Sequence, residues 1–133
     1  EIYNHHFNDD SLLIREKINN VNILFSKHEE ELANPILKYI SKRSDLKLIG
    51  QYEMKDKNRA PTISFTSKKK TSKEVSKLLV SNKIATRNDN FYAWRCLKSL
   101  GIDIDDGVVR TSFVHYNNEN DSAKLIENLD KTI

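Results

Sequence analysis

The chain has 133 residues, 38% hydrophobic and 31% charged, which suits one domain with a buried core and is too short for two. Its net charge of +3 indicates solubility rather than nucleic-acid binding. No apolar run approaches the ~20 residues that span a bilayer, and the amino terminus lacks the regions of a signal peptide. We therefore expect a cytoplasmic protein without a nucleic-acid or membrane partner. A single cysteine, Cys96, excludes an internal disulfide and a cysteine-based metal cage.

The first third of the chain has helical spacing. Apolar residues recur every three or four positions from Ile14 to Ile40, which predicts a long helix over about 11–42. Pro35 lacks an amide donor, so we expect a kink or a break near Asn34. Candidate capping residues stand at the start of this helix: Asp9, Asp10 and Ser11. The single apolar stripe must pack on a surface, and that surface need not lie within this chain.

Short strands and helices alternate after residue 42. Strands are predicted at 46–50, 61–66, 84–87 and 108–115, with turns at 88–90 and 105–107. Helices are predicted at about 71–82, with a capping box from Thr71 to Glu74, at 91–100, and from Asn118 or Asn120 onward. This order predicts an α/β chain of the two-layer α+β type. Its small, mostly antiparallel sheet of three to four strands is covered by helices mainly on one face.

Few residues suggest chemistry by themselves. Three glycines cannot form a phosphate-binding loop, and no histidine has the spacing of a zinc site. His28 lies on the apolar stripe, where a buried and hydrogen-bonded role is expected, and Cys96 is expected to be a buried core thiol. The basic run at 68–70 fits a solvated segment better than a phosphate-contacting patch, because no aromatic residues interleave with it.

Arg110 is different because it lies inside an apolar strand. Alternation places it on the same face as Val108 and Ser112. A buried arginine needs a partner, and its planar fork suits a carboxylate held by two parallel hydrogen bonds. The alternatives are a solvent-facing arginine or an internal salt bridge. Arg87, at a strand end, is a weaker candidate for the same role.

Three motifs occur in a familiar order. They are residues 59–65 (RAPTISF), 87–93 (RNDNFYA) and 107–117 (GVVRTSFVHYN), preceded by a helix that contains KHEEEL at 27–32. As a set they resemble the C-terminal small domain of class V aminotransferases. This is the pyridoxal-phosphate family that includes the cysteine desulfurases. The resemblance covers nearly the whole chain.

The resemblance implies roles for individual residues. Arg110 matches the arginine that binds the α-carboxylate of the amino-acid substrate, and Arg87 matches an arginine near the same end of the substrate. Tyr92 stands where many desulfurases have their catalytic cysteine, so we predict a substrate-binding position there and doubt the usual desulfuration route. Asp89 replaces a glycine that is usual in the family. No catalytic, cofactor-binding or metal-binding residue is expected in this chain.

The resemblance also implies the organisation of a larger enzyme. Residues 1–133 would be a single C-terminal small domain, with a connecting helix region at 1–42 and a body of sheet and helices at 43–133. Pyridoxal phosphate would be held by a large domain absent from this sequence, so we expect neither bound cofactor nor turnover in this chain alone. The first residue, Glu1, fits a fragment. The parent enzyme would be a homodimer that acts on an amino acid, and this fragment a monomer. The alternative is a free-standing, non-catalytic module that binds a carboxylate ligand or a protein partner.

Overall fold

A computed structural model describes residues 1–7 and 11–133 of the chain. Within them lie, in chain order, helices α1 (Ile2–His6) and α2 (Ile14–Lys42), strands β1 (Leu46–Ile49) and β2 (Thr62–Ser67), helix α3 (Ser72–Ser81), strand β3 (Arg87–Asp89), helix α4 (Trp94–Ser99), strand β4 (Val108–Ser112) and helix α5 (Glu119–Thr132). Among the described residues, no helix combines the length and the apolar character needed to cross a membrane.

The four strands form one antiparallel sheet in the order β1-β2-β4-β3. The predicted α/β architecture is therefore confirmed. Because successive side chains of a strand point to opposite faces, the buried pattern of β2 assigns Ile63 and Phe65 to one face and Ser64 to the other. We call the face of Ile63 and Phe65 the core face and the face of Ser64 the open face.

Helices α2, α3 and α5 cover the core face. Their buried side chains form one apolar cluster with Leu48, Phe65 and Val109 of the sheet. Helix α2 contributes most of it: Leu32, Ala33, Ile36, Leu37 and Ile40. Each large aliphatic side chain removed from water contributes about 1.5–3 kcal/mol. This packing holds the carboxyl-terminal half of α2 against the sheet.

The amino-terminal half of α2 does not share this packing. Leu13, Ile14, Ile18 and Ile23 are more than half exposed, although Ile14 and Ile18 belong to the apolar stripe of the helix. Helix α2 also runs through Pro35 without a break, which leaves the kink as the remaining form of the sequence prediction. Proline removes one backbone hydrogen bond from a helix, and the fully buried side chains on both sides of it hold the helix together.

A second, smaller cluster lies on the open face. Helix α4 and the segment after it place Leu97 and Ile102 against Val108, with Ile49 and Phe91 packed around them. This cluster covers one end of the open face. The part of the open face around Ser64 is half-buried, so polar groups there can reach solvent.

Some element boundaries differ from the sequence predictions. The capping box from Thr71 to Glu74 is confirmed. Asp9 and Asp10 lie outside the described residues, and the cap of α2 is Leu13, whose amide donates to Glu16 Oε2 at 2.8 Å. The short helix α1 is not predicted. The strand predicted at 84–87 is instead Arg87–Asp89, so the predicted turn at 88–90 is wrong in its first two residues.

Candidate functional site

Arg110 lies in the middle of the sheet, between β2 and β3. Its register partner on β2 is Ser64, and its register partner on β3 is Arg87. Directly opposite residues share a face, with Cβ atoms about 4.5–5.5 Å apart. The open face therefore carries a row of three polar side chains across three strands, two of them arginines.

The guanidinium of Arg110 is held by an aromatic ring and not by an acid. Its Cζ atom lies 3.9 Å from the ring centroid of Phe91, in a cation–π contact. Among the described residues, the Arg110 side chain forms no hydrogen bond or ion pair. The internal salt bridge considered as an alternative is therefore absent from the described part of the chain. The planar group is stacked on one side, and its N–H donors stay available to a carboxylate.

An unusual turn positions Phe91. Phe91 and Tyr92 both have positive φ, +50° and +60°, which bulky side chains rarely adopt. The Ala93 amide donates to Asn90 O at 2.9 Å, and the Tyr92 amide donates to Asn90 Oδ1 at 3.0 Å. Helix α4 consequently begins at Trp94, three residues later than predicted. Such strain, about 1–3 kcal/mol for each residue, is found mainly at functional sites.

Gly107 fixes the position of this turn relative to β4. Its φ is +68°, and a Cβ atom placed on it would lie 2.3 Å from the carbonyl carbon and oxygen of Asp89 and 2.7 Å from the Asn90 amide nitrogen. The two backbones can approach this closely because glycine has no side chain. Asp89 itself belongs to β3 and has no positive φ. The replacement of the usual glycine by Asp89 therefore brings no left-handed backbone strain.

Of the three residues predicted for the site, two lie side by side on the sheet and the third lies on the adjacent turn. Arg110 and Arg87 are brought into register on the open face. Tyr92 lies at the tip of the adjacent turn and is 95% exposed. Two neighbours of Arg110 are missing from the sequence prediction. Ser64 could have been found from the alternation of β2, whereas nothing in the local sequence indicates that Phe91 stacks on Arg110.

The structure also shows the surroundings of the histidine, the cysteine and the possible metal ligands considered from the sequence. His28 Nε2 donates to the Asn117 carbonyl oxygen at 2.8 Å, which confirms the predicted hydrogen bond, but the side chain is half-buried rather than buried. Cys96 is exposed, so the prediction of a buried thiol is wrong. Helix α4 is only six residues long and buries Leu97 alone. Within residues 1–7 and 11–133, no three His, Cys, Asp or Glu side chains group as metal ligands would.

A cluster of charges stabilises the start of β1, away from Arg110. Arg43 donates to both carboxylate oxygens of Asp45, at 2.8 and 2.7 Å, and Lys69 Nζ lies 2.8 Å from the same group. These hydrogen bonds hold the pKa of Asp45 well below its usual range. Burial and a hydrogen bond to Asp130 raise the pKa of Tyr39 to about 12. Lys69 of the basic run 68–70 is thus engaged in a contact within the chain.

Comparison with solved structures shows that the fold resembles part of two cysteine desulfurases. The cysteine desulfurase of Thermococcus onnurineus NA1 superimposes with a TM-score of 0.75 at 21% identity, over 89% of this chain and 28% of that one. Cysteine desulfurase CsdA of Escherichia coli gives 0.67 at 22% identity, over 80% of this chain and 25% of that one. At these identities the similarity establishes a common fold.

Sequence comparison gives the family. The aminotransferase-like protein FGM3 of Gibberella zeae is 29% identical over 110 residues, which are 81% of this chain and 27% of that protein. The chain thus spans about a quarter of the length of the relatives it matches. The family model described as aminotransferase class-V matches residues 15–125, a segment that includes the whole sheet and both arginines of the open face. This match, together with the shared fold, makes the chain a member of the class V aminotransferase family.

Proposed function

We propose that this chain is the C-terminal small domain of a larger pyridoxal-phosphate enzyme, and that its open face binds the α-carboxylate of an amino-acid substrate. The observation that supports this most directly is the state of Arg110. Its guanidinium is stacked on Phe91, and it has no acidic partner among the described residues. In this proposal, residues 1–42 connect the two domains and residues 43–133 form the substrate-binding body.

Arg110 would bind the carboxylate with two parallel hydrogen bonds, and Arg87 would add a second positive charge. Like charges directly opposite each other on a sheet destabilise it, so an anion between the two arginines would relieve their repulsion. The Ser64 hydroxyl, on the other side of Arg110, can donate a further hydrogen bond. Fixing the carboxylate in this way orients the substrate for reaction.

Tyr92 would contact substrate from the turn after β3, where a large domain could cover its exposed ring. A phenol hydroxyl cannot accept sulfane sulfur as a thiolate does. We therefore propose amino-acid chemistry other than desulfuration through this position.

We propose that the cofactor is held outside this chain. Enzymes that use pyridoxal phosphate need a lysine for the cofactor and donors for its phosphate. Lys47 lies in β1 on the open face by alternation, but its ammonium donates to the Leu100 carbonyl oxygen at 3.1 Å. The family depends on pyridoxal phosphate, and the cofactor would be held by the remaining part of the protein. It supplies the electron sink for the reaction, whereas this chain supplies binding and orientation.

The exposed half of α2 supports the existence of a covering domain. Ile14 and Ile18 lie one helical turn apart on the same side of α2, and both are more than half exposed. We propose that this apolar surface packs on the large domain of the same protein. Homodimerisation of the parent enzyme and its cytoplasmic location stay predictions from the sequence.

The test replaces Arg110 by glutamine in the full-length protein. Losing a charged hydrogen-bond donor costs about 1.5–3 kcal/mol, so we expect KM for the amino acid to rise roughly 10- to 150-fold. The matched control is Arg95→Gln, because Arg95 is exposed on α4 and its side chain forms no hydrogen bond or ion pair with the described residues. An amine analogue without the carboxylate should react equally well with both variants.

Two outcomes would contradict the proposal. An unchanged KM in the Arg110→Gln enzyme would remove Arg110 from the site, and an equal loss with the amine analogue would indicate damage to the fold instead. The alternative of a free-standing binding module is tested by the reading frame upstream of Glu1. A start codon immediately before that residue would favour the module over the enzyme domain.

A further inference from the structure

A second cleft lies at the edge of β4, beyond the site described above. Strand β3 pairs with β4 only from Asp89 to Arg87, and the preceding segment 83–86 leaves the sheet. The gap between this segment, the end of β4 and the start of α5 has a volume of about 450 Å³. Ligand pockets of proteins are typically about 300–1,000 Å³. The cleft is therefore large enough for a small organic molecule.

Thr111 makes this cleft unusual. It lines the cleft, is only 5% exposed, and its Oγ1 atom is buried without a hydrogen-bond partner among the described residues. Nearly all buried polar groups in proteins have a partner, so an exception calls for a missing one. Thr111 follows Arg110 in β4, and its side chain points to the core face. Neither Arg87 nor Arg110 lines the cleft, so it is distinct from the row of arginines.

The charges that line the cleft favour an anion. Lys83 and Lys124 both line it and are exposed, and neither ammonium group forms a salt bridge with an acid of the described residues. The acidic side chain in the lining, Asp121, is already engaged: its Oδ2 accepts from Asn117 Nδ2 at 3.1 Å and from the Asn118 amide at 3.0 Å. Among the charged side chains of the lining, the two without a hydrogen bond or ion pair to the described residues are therefore both cations.

The rest of the lining is mixed. Polar groups come from Thr86, Ser112, Tyr116 and Asn117, and the apolar part is formed by Ile84, Ala85, Phe113, Val114 and Leu125. A phosphate ion alone would leave the apolar part of the lining exposed to water. An anion that also carries a short hydrocarbon chain satisfies both parts of the lining, because the chain would cover the apolar wall while the charged group meets the donors.

We propose that this cleft binds a small organic carboxylate with a short apolar chain. Thr111 Oγ1 would donate to one carboxylate oxygen, and Lys83 and Lys124 would balance the charge. The chain of the ligand would lie against Phe113 and Leu125. This site is additional to the proposed binding of substrate by Arg110, and it does not depend on that proposal.

The test is a titration of the 15N-labelled 133-residue chain with sodium butyrate at constant ionic strength, followed by amide chemical shifts. The Arg110→Gln variant is used as background, so that binding at the open face does not contribute. We expect saturable shifts at residues 83–86, 111–114 and 121–125. Butanol, which lacks the charge, and inorganic phosphate, which lacks the chain, should each bind more weakly.

Thr111→Val is the decisive variant because it keeps the shape of the side chain and removes the hydroxyl. We expect it to weaken butyrate binding about tenfold or more, since hydrogen bonds to charged groups are the strong ones, while the melting temperature stays equal or rises. The double variant Lys83→Gln/Lys124→Gln should weaken binding as well and guards against a folding defect in the first. Unchanged affinity in Thr111→Val, equal binding of butanol, or no saturable shift in the cleft would overturn the proposal.

Discussion

Replacing Gly107 by alanine tests how closely β4 approaches the turn that positions Phe91. A Cβ atom at residue 107 would meet backbone atoms of Asp89 at 2.3 Å, and a paired strand cannot swing away as a flexible side chain could. Gly101 provides a matched control. Its φ of +67° is nearly the same as the +68° of Gly107, and nothing lies within 4 Å of the position that a Cβ atom would occupy there.

Both substitutions introduce left-handed backbone strain, but only Gly107→Ala also introduces a steric clash. A left-handed backbone costs alanine about 1–2 kcal/mol at either position. Overpacking adds about 1–3 kcal/mol at Gly107 only. We therefore expect the free energy of unfolding to fall by about 2–5 kcal/mol for Gly107→Ala and by about 1–2 kcal/mol for Gly101→Ala.

Urea unfolding followed by far-ultraviolet circular dichroism measures this difference. With a slope of about 1.5 kcal/mol per molar urea, the midpoint of Gly107→Ala should lie about 0.7–2 M below that of Gly101→Ala. The amide signals of β3 should move in Gly107→Ala and stay in place in Gly101→Ala. Equal midpoints for the two variants would refute the close approach of residues 89 and 107.

Two further predictions concern contacts away from this junction. Because the folded pKa of Asp45 is lowered, its carboxylate stabilises the fold above the unfolded pKa of about 3.9, and this contribution is lost as the pH falls toward the folded pKa. The urea midpoint of Asp45→Asn should thus lie below that of the unsubstituted chain at pH 7, and the gap should narrow from about pH 4 to pH 2. Asp105→Asn, which removes a carboxylate without hydrogen bonds or ion pairs to the described residues, should show no gap, and a constant gap for Asp45→Asn would contradict the assignment. Asn34→Ala should cost about 1–3 kcal/mol, because the Asn34 side chain bonds both the amide (2.8 Å) and the carbonyl oxygen (2.9 Å) of Met54. Hydrogen exchange at the Met54 amide should then accelerate, and an unchanged rate would show that other contacts hold the loop.

The sequence was sufficient to place Arg110 on the correct face of its strand. Alternation in a strand is dictated by backbone geometry, so the buried Val109 and Thr111 assign Arg110 to the other side. The capping box of α3 was equally readable, because Thr71 and Glu74 are adjacent on the first helical turn. In these cases a local pattern decides the structure.

Other features depend on residues that are distant in sequence. Asn88 and Asp89 have the composition of a turn, yet they pair with Val109 and Val108 of β4. Phe91 adopts a positive φ that no local propensity would predict, in a turn that lies beside the backbone of Gly107. Tertiary packing overrides local preference at these positions, and the stacking partner of Arg110 was missed for the same reason.

Under the proposed function, the opposition of Arg87 and Arg110 would link carboxylate binding to the melting temperature of the chain. Two cations in register lower the stability of the empty sheet, and a ligand that binds only the folded state raises stability by RT ln(1 + [L]/Kd). Carboxylates that bind between the arginines should therefore reveal themselves as increases in melting temperature. Carboxylates of different size can be ranked in this way on the chain itself.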